Sequence, residues 1–224
     1  AVFHRLVDLD VRDWKIDAED LLQAGKLIRE WGDAPLSVIL LEKAIEKTSF
    51  GQEQLYAQGA VQVADMYQEL SISHLKARNQ EAALKAVGQA IRLKPDQANF
   101  YLHQGDVYAD LRKPKGMLDS LKPAIKLSPE DPAVNYRVAQ ALYINGDLPG
   151  ALKHAEQALT KRTNGKDDQS DLETRYLAAE VSRAMLKPRQ ALAYLPVNFM
   201  ASGEPQQRLE QASMQAELAL EVGD

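Results

Sequence analysis

Four histidines, His4, His74, His103 and His154, are the residues of this chain best suited to metal or acid–base chemistry, and they are scattered along it. None falls into an HExxH run or another metal-ligand spacing. His103 and Asp106 stand three apart and share a helical face, which suits a surface hydrogen-bond pair better than a ligand or metal pair. His74 is expected to pack in a core. Asn164-Gly165-Lys166 lacks both the upstream glycine and the following Ser or Thr of a phosphate loop, and no serine lies in a GxSxG elbow. Carboxylates are plentiful, but the sequence nowhere sets two of them in an apolar pocket that would drive their pKa values apart. With no cysteine, disulfides, thiolate metal sites and cysteine nucleophiles are excluded together. The expectation is a chain without catalytic residues, metal or cofactor.

What remains is a question of scaffold. The 224 residues are 45% hydrophobic and 26% charged, a composition that folds, and the formal net charge of −5 comes with no basic block. Nucleic acid is therefore disfavoured as a partner. No apolar run reaches the roughly 18–20 residues needed to span a bilayer; VILLEKAI at 38–45 is interrupted by charge. The chain begins with Ala1, and AVFHRLVDLD reads as the middle of an amphipathic helix, so a piece of a longer protein is expected.

The strongest signal is a repeated phrase. AIRLKPDQA at 90–98 returns as AIKLSPEDP at 124–132, with Pro95 and Pro129 separated by 34 residues. Counting units from Ala64, Ala98 and Pro132, the eighth position holds Ser71, Gly105 and Ala139, and the twenty-seventh holds Ala90, Ala124 and Ala158. Small residues thus recur where paired helices must approach closely. Tyr67 and Tyr101 take the fourth position, which Asn135 interrupts. Two further units start at Ala18 and Leu172, so degenerate units cover 18–51, 64–97, 98–131, 132–165 and 172–199. Within each, apolar residues keep three-to-four spacing on both sides of a polar turn. Pro35, Pro114, Pro149 and Pro188 open second helices, where a missing N–H costs nothing, and Asp33 or Asp147 can cap them. Pro95 and Pro129 close second helices near Lys94 and Ser128. Pro123, inside a second helix, is expected to kink or loosen it. Residues 52–63 read as a helix extension and 164–171 as a solvated loop. Sustained period-two alternation is missing, so strands are not expected.

These residues resemble the tetratricopeptide repeat, a 34-residue pair of antiparallel helices with small residues at positions 8, 20 and 27 and proline at 32. Position 20 here holds Ala83, Met117, Ala151, Ala191 and Ser37. The resemblance implies an all-α, right-handed α-solenoid of helix-turn-helix repeats, a single domain over 1–224 in which 1–17 end a preceding helix and 202–224 form a capping helix. It also implies a concave groove lined by first helices. The family's groove positions map to Asp65, Gln68, Ile72 and Leu75; Asn99, Leu102, Asp106 and Ala109; Ala133, Tyr136, Gln140 and Tyr143; and Glu173, Tyr176, Glu180 and Arg183. Chaperone-binding members grip a C-terminal carboxylate with Lys at position 5 and Asn at position 9. No unit here carries that pair, so a carboxylate clamp is not expected.

The function expected is a non-catalytic scaffold that holds a segment of a partner protein in its groove, within a bacterial envelope, periplasmic or secretion assembly. The alternative is a docking or regulatory arm of an enzyme whose catalytic domain lies outside 1–224. Self-association is a third expectation, because an incompletely capped solenoid exposes an apolar end. At the C-terminus, Ser202 is expected to cap a last helix with Pro205 in its first turn and Leu209 and Leu218 buried.

Overall fold

The computed structural model describes residues 16–50, 58–161, 169–195 and 205–223, and the described residues form eleven helices and no strand. The fold is an all-α helical repeat. In chain order the helices are α1 (Ala18–Glu30), α2 (Ala34–Phe50), α3 (Gln58–Lys76), α4 (Gln80–Leu93), α5 (Ala98–Asp110), α6 (Pro114–Leu127), α7 (Pro132–Ile144), α8 (Leu148–Lys161), α9 (Gln169–Ala184), α10 (Pro188–Tyr194) and α11 (Pro205–Val222). They fall into two compact units, Ala1–Lys113 and Pro114–Asp224. The expected preceding helix over 1–17, and the expectations placed on residues 52–57, 164–168 and Ser202, lie wholly or mostly outside the described residues. So does the side chain of Leu209.

In the first unit α1 pairs with α2 and α3 with α4, while α2 packs on α3 and α4 on α5. The eighth and twentieth positions set how close each pair comes. At Gly25 an added Cβ would lie 2.9 Å from Leu41 Cγ, so α1 meets α2 where only a hydrogen fits. Ser37 Oγ then donates to Gly25 O at 2.7 Å. In the next pair the roles reverse, Ser71 Oγ on α3 donating to Ala83 O on α4 at 2.8 Å. Leu21, Leu41, Ala44, Met66 and Leu70 fill the space between these helices, and Ala64, Val87, Ala90 and Phe100 continue it to α5.

The second unit repeats the plan with methyl groups. Ala139, Ala151, Ala155, Leu177, Ala178 and Val181 join α7, α8 and α9. Ala179, Ala191 and Leu195 join α9 and α10 to Met214 and Leu218 of α11. Leu218 is fully buried, as its apolar stripe predicts. Pro123 is less disruptive than expected: α6 runs unbroken past it.

The turn inside each unit obeys one rule. Its fifteenth residue has positive φ: Gly32 (93°), Arg78 (62°), Arg112 (54°), Gly146 (84°) and Leu186 (59°). In each, the following N–H reaches back five residues, as Asn79 N to His74 O at 2.8 Å and Lys187 N to Ser182 O at 3.0 Å. Left-handed closure of this kind satisfies carbonyls that the helix end leaves open. Asp33, Asn79 and Asp147 then cap the next helix, accepting from Leu36 N, Ala82 N and Gly150 N. Pro114 and Pro188 start their helices, as their positions predict.

Candidate functional site

Within the first unit α3 contacts both α1 and α5. Of the expected groove residues there, Asp65, Asn99 and Ala109 are exposed and Gln68, Ile72, Leu75, Leu102 and Asp106 are half-buried. A polar framework links α1 to α3. Arg29 of α1 pairs with Glu69 Oε2 at 2.7 Å and donates to Ser73 Oγ at 3.3 Å. Ser37 spends its hydrogen on Gly25 O, so Ser73 must be the donor in the 2.8 Å contact between the two hydroxyls.

His103 corrects its expected role. It does not form a surface pair with Asp106; its ring is buried and Nε2 lies 2.8 Å from Ser71 Oγ. Ser71 already donates to Ala83 O, so this histidine is assigned as the Nε2–H tautomer, a donor. Burial pushes its pKa down to about 4, with Glu69 opposing and Arg29 assisting. His74, expected in a core, is only half-buried, and its pKa is lowered by burial against the pull of Glu42. Among the described residues no group of three or more His, Cys, Asp or Glu side chains could hold a metal ion. No described helix is long and apolar enough to cross a membrane.

Within the second unit α7 and α9 are in contact, and they carry the tyrosines. Tyr136, Gln140, Tyr143, Tyr176, Glu180 and Arg183 are all half-buried, while Ala133 and Glu173 are exposed. Gln140 Nε2 donates to Tyr136 OH at 2.8 Å, and Gln140 Oε1 accepts from Arg137 at 3.1 Å. Arg137 also sits 6.0 Å from the Tyr136 ring centroid, at the outer reach of a cation–π contact. Tyr143 and Tyr136 lean on the α7–α8–α9 core, and Tyr176 leans on the α9–α10–α11 core. Each ring is thus packed on a core and partly exposed. Tyr143, Glu180 and Arg183 line one open cleft of about 600 Å³ together with Ala184, Leu186, Pro188 and Glu221.

Two side chains at this end of the unit, Glu217 and Glu221, have no counterpart in the repeat pattern. Leu186 belongs to the left-handed turn, and Glu217 and Glu221 come from α11, whose Glu217 Oε2 meets Arg183 at 3.2 Å. The charged stripe of α11 is visible in sequence, but its pairing with a first-helix arginine is not, because α11 stands outside the repeats. Asn135, the interruption at the fourth position, is buried and replaces aromatic packing with hydrogen bonds: Nδ2 donates to Pro129 O and Asp131 O, and Oδ1 accepts from His154 Nδ1.

The family model described as tetratricopeptide repeat matches residues 69–116 and 118–167. Over those residues the chain carries tetratricopeptide repeats. Solved tetratricopeptide-repeat structures share its fold across nearly its whole length. One titled as the crystal structure of YrrB, "a TPR protein with an unusual peptide-binding site", is 16% identical, with 100% of this chain and 98% of that chain covered and a TM-score of 0.59. The PilF structure from Pseudomonas aeruginosa is 14% identical, covering 92% of this chain and 90% of that one at a TM-score of 0.66. MamA from Desulfovibrio magneticus RS-1 is 11% identical, with 88% and 96% covered at a TM-score of 0.63. No curated protein sequence matches this chain. At these identities the likeness concerns the repeat fold alone.

Proposed function

We propose that this chain is a non-catalytic scaffold that holds a segment of a partner protein against the first helices of its tetratricopeptide repeats, with α7 and α9 as the principal contact surface. The observation that carries the reading is the set of half-buried tyrosines on α7 and α9, Tyr136 bonded to Gln140, Tyr176, and Tyr143 lining an open cleft with Glu180 and Arg183. Tyrosines anchored on one face offer broad amphipathic area with little rotamer entropy left to lose, a property enriched at recognition hot spots. Gln140 and Arg183 add hydrogen-bonding groups, suited to the backbone of an extended or helical segment. Gln68, Ile72, Asn99, Leu102 and Asp106 provide a second, less aromatic surface on the first unit. YrrB is described as having an unusual peptide-binding site, and the reading extends that kind of use to this chain. A bacterial envelope or secretion assembly is the setting we propose for it.

The test is selection of dodecapeptides from a random displayed library against the whole chain, followed by calorimetry with synthetic winners. Gln140→Ala and Tyr143→Ala should each weaken binding at least fivefold while circular dichroism stays helical. Winners that bind both variants with unchanged affinity would place recognition elsewhere and sink the reading.

A further inference from the structure

The cleft at the end of the second unit has a charge pattern that selects its occupant. Its apolar part is Tyr143, Ala184, Leu186 and Pro188, and its charged side chains are Glu180, Arg183 and Glu221. Arg183, the one cation among them, is paired with Glu217 of α11. Glu180 and Glu221 make no ion pair or hydrogen bond among the described residues. Lys187 and Arg189, the nearest cations in sequence, line a separate cleft that adjoins the first through Pro188 and Glu221. The first cleft thus presents two carboxylates without an ion pair beside an apolar patch, Glu221 also bordering the cleft that holds Lys187 and Arg189.

Leu186 strengthens the case for an apolar anchor. It occupies the left-handed position that two other units fill with glycine, at φ 59°, and it is 88% exposed. A large aliphatic side chain at that conformation carries backbone strain, and its exposure returns nothing to the core. Among the described residues it lines the cleft.

We infer that the segment held by this chain inserts an aliphatic or aromatic side chain against Tyr143, Leu186 and Pro188, with a lysine or arginine next to it reaching Glu180 and Glu221. The inference rests on the groove reading above and supplies the chemistry of its partner. A cationic head with an apolar stem suits the site doubly, since the stem covers apolar surface while the head meets a carboxylate. Pairing at an open cleft is screened by salt, so the specificity for a basic residue should weaken as ionic strength rises.

The experiment uses the same dodecapeptide selection on the whole chain. Winners should be enriched in Lys or Arg adjacent to Leu, Ile, Phe or Met. A doubly substituted chain, Glu180→Gln with Glu221→Gln, should bind a synthetic winner about tenfold more weakly at low salt and differ far less at high salt. Leu186→Gly, which suits the turn and so preserves the fold, should also weaken binding severalfold. Enrichment of acidic or uncharged winners, or unchanged affinity in the double variant, overturns the inference. If in that case Gln140→Ala still weakens binding, the groove reading survives without it; if neither substitution matters, or if no binder is selected, both readings fail.

Discussion

The two units solve one packing problem with different chemistry. Where paired helices meet in the first unit, hydroxyl groups bridge them: Ser37 to Gly25 O, Ser71 to Ala83 O, with Ser73, Arg29 and His103 feeding hydrogens into those bridges. At the matching places in the second unit stand Ala139 with Ala151 and Ala179 with Ala191, all fully buried. The repeat demands small volume at positions 8 and 20; it does not demand a polarity. A hydroxyl makes the approach directional and exposes it to the protonation state of its neighbours. A methyl does neither.

The largest effects should fall where both units rely on the same aliphatic packing. Leu41→Ala in the first unit and Leu218→Ala in the second remove fully buried side chains, and each should cost about 2–5 kcal/mol by urea denaturation. Comparable losses would show that the units differ in their seams and share their cores. A cost under about 1 kcal/mol for Leu218→Ala would show that α11 contributes little to the second unit, and would undo the description of its contact with Ala179 and Ala191.

A sharper contrast comes from exchanging the seams. Ser71→Ala leaves the His103 Nε2–H without its acceptor in a buried place, which should cost about 1–3 kcal/mol. The reverse change, Ala139→Ser, adds a hydroxyl where the carbonyl of residue 151 is the expected acceptor. It should cost less than about 1 kcal/mol. Equal penalties in both directions would mean that volume alone governs these positions, and the contrast would collapse.

Much of this organisation is legible in the sequence, for a physical reason. Proline and small side chains act locally, through a missing N–H or a missing volume, so Pro95, Pro114, Pro129 and Pro188 mark helix ends and Ala83, Ala90, Ala124 and Ala158 mark helix contacts without knowledge of the fold. What the residue types conceal is settled by partners distant in the chain. His103 reads as a surface residue until Ser71 is found beside it, and Asn135 reads as a defect until His154 and two loop carbonyls meet it. The left-handed turns are concealed differently: Arg78, Arg112 and Leu186 carry no glycine signal, and only alignment with Gly32 and Gly146 reveals the shared position. Glu221 in the cleft and Glu217 beside Arg183 escape the pattern because a non-repeating helix supplies them.

Acid should separate the units next. His103 is neutral in the folded chain down to about pH 4, whereas in the unfolded chain it takes up a proton near the ordinary histidine value of 6.5. Protons therefore favour the unfolded state throughout that window. Stability is retained above about pH 6.5 and falls as pH drops towards 4, by up to about 3 kcal/mol from this one group. His103→Gln keeps a donor for Ser71 and removes the titration, so denaturation midpoints at pH 7 and pH 4.5 should differ less in that variant than in the parent. His154, whose pKa is lowered by burial and by Lys153 against the pull of Asp147, should give a smaller difference on the same substitution. A variant as acid-sensitive as the parent would remove His103 from the account.

The smallest expected effects concern the turns, and here the units should behave alike. Gly146 has φ of 84° with nothing within 4 Å of an added Cβ, so Gly146→Ala meets no steric clash with its surroundings and isolates the backbone cost. Left-handed geometry penalises an L side chain by roughly 1–2 kcal/mol, and alanine recovers part of that by restricting the unfolded chain. The net loss should be about 0.5–1 kcal/mol. Arg112 is the same experiment already run by the sequence, since it holds φ of 54° with a side chain in place. Arg112→Gly should therefore return a gain of similar size, read as a thermal midpoint raised by a few degrees at most. If Arg112→Gly instead destabilises, its side chain or the entropy of the new glycine outweighs the strain, and the five turns are not equivalent. Matching magnitudes of opposite sign would establish that the fifteenth position is a backbone rule common to both units, independent of whether a hydroxyl or a methyl holds the helices that follow.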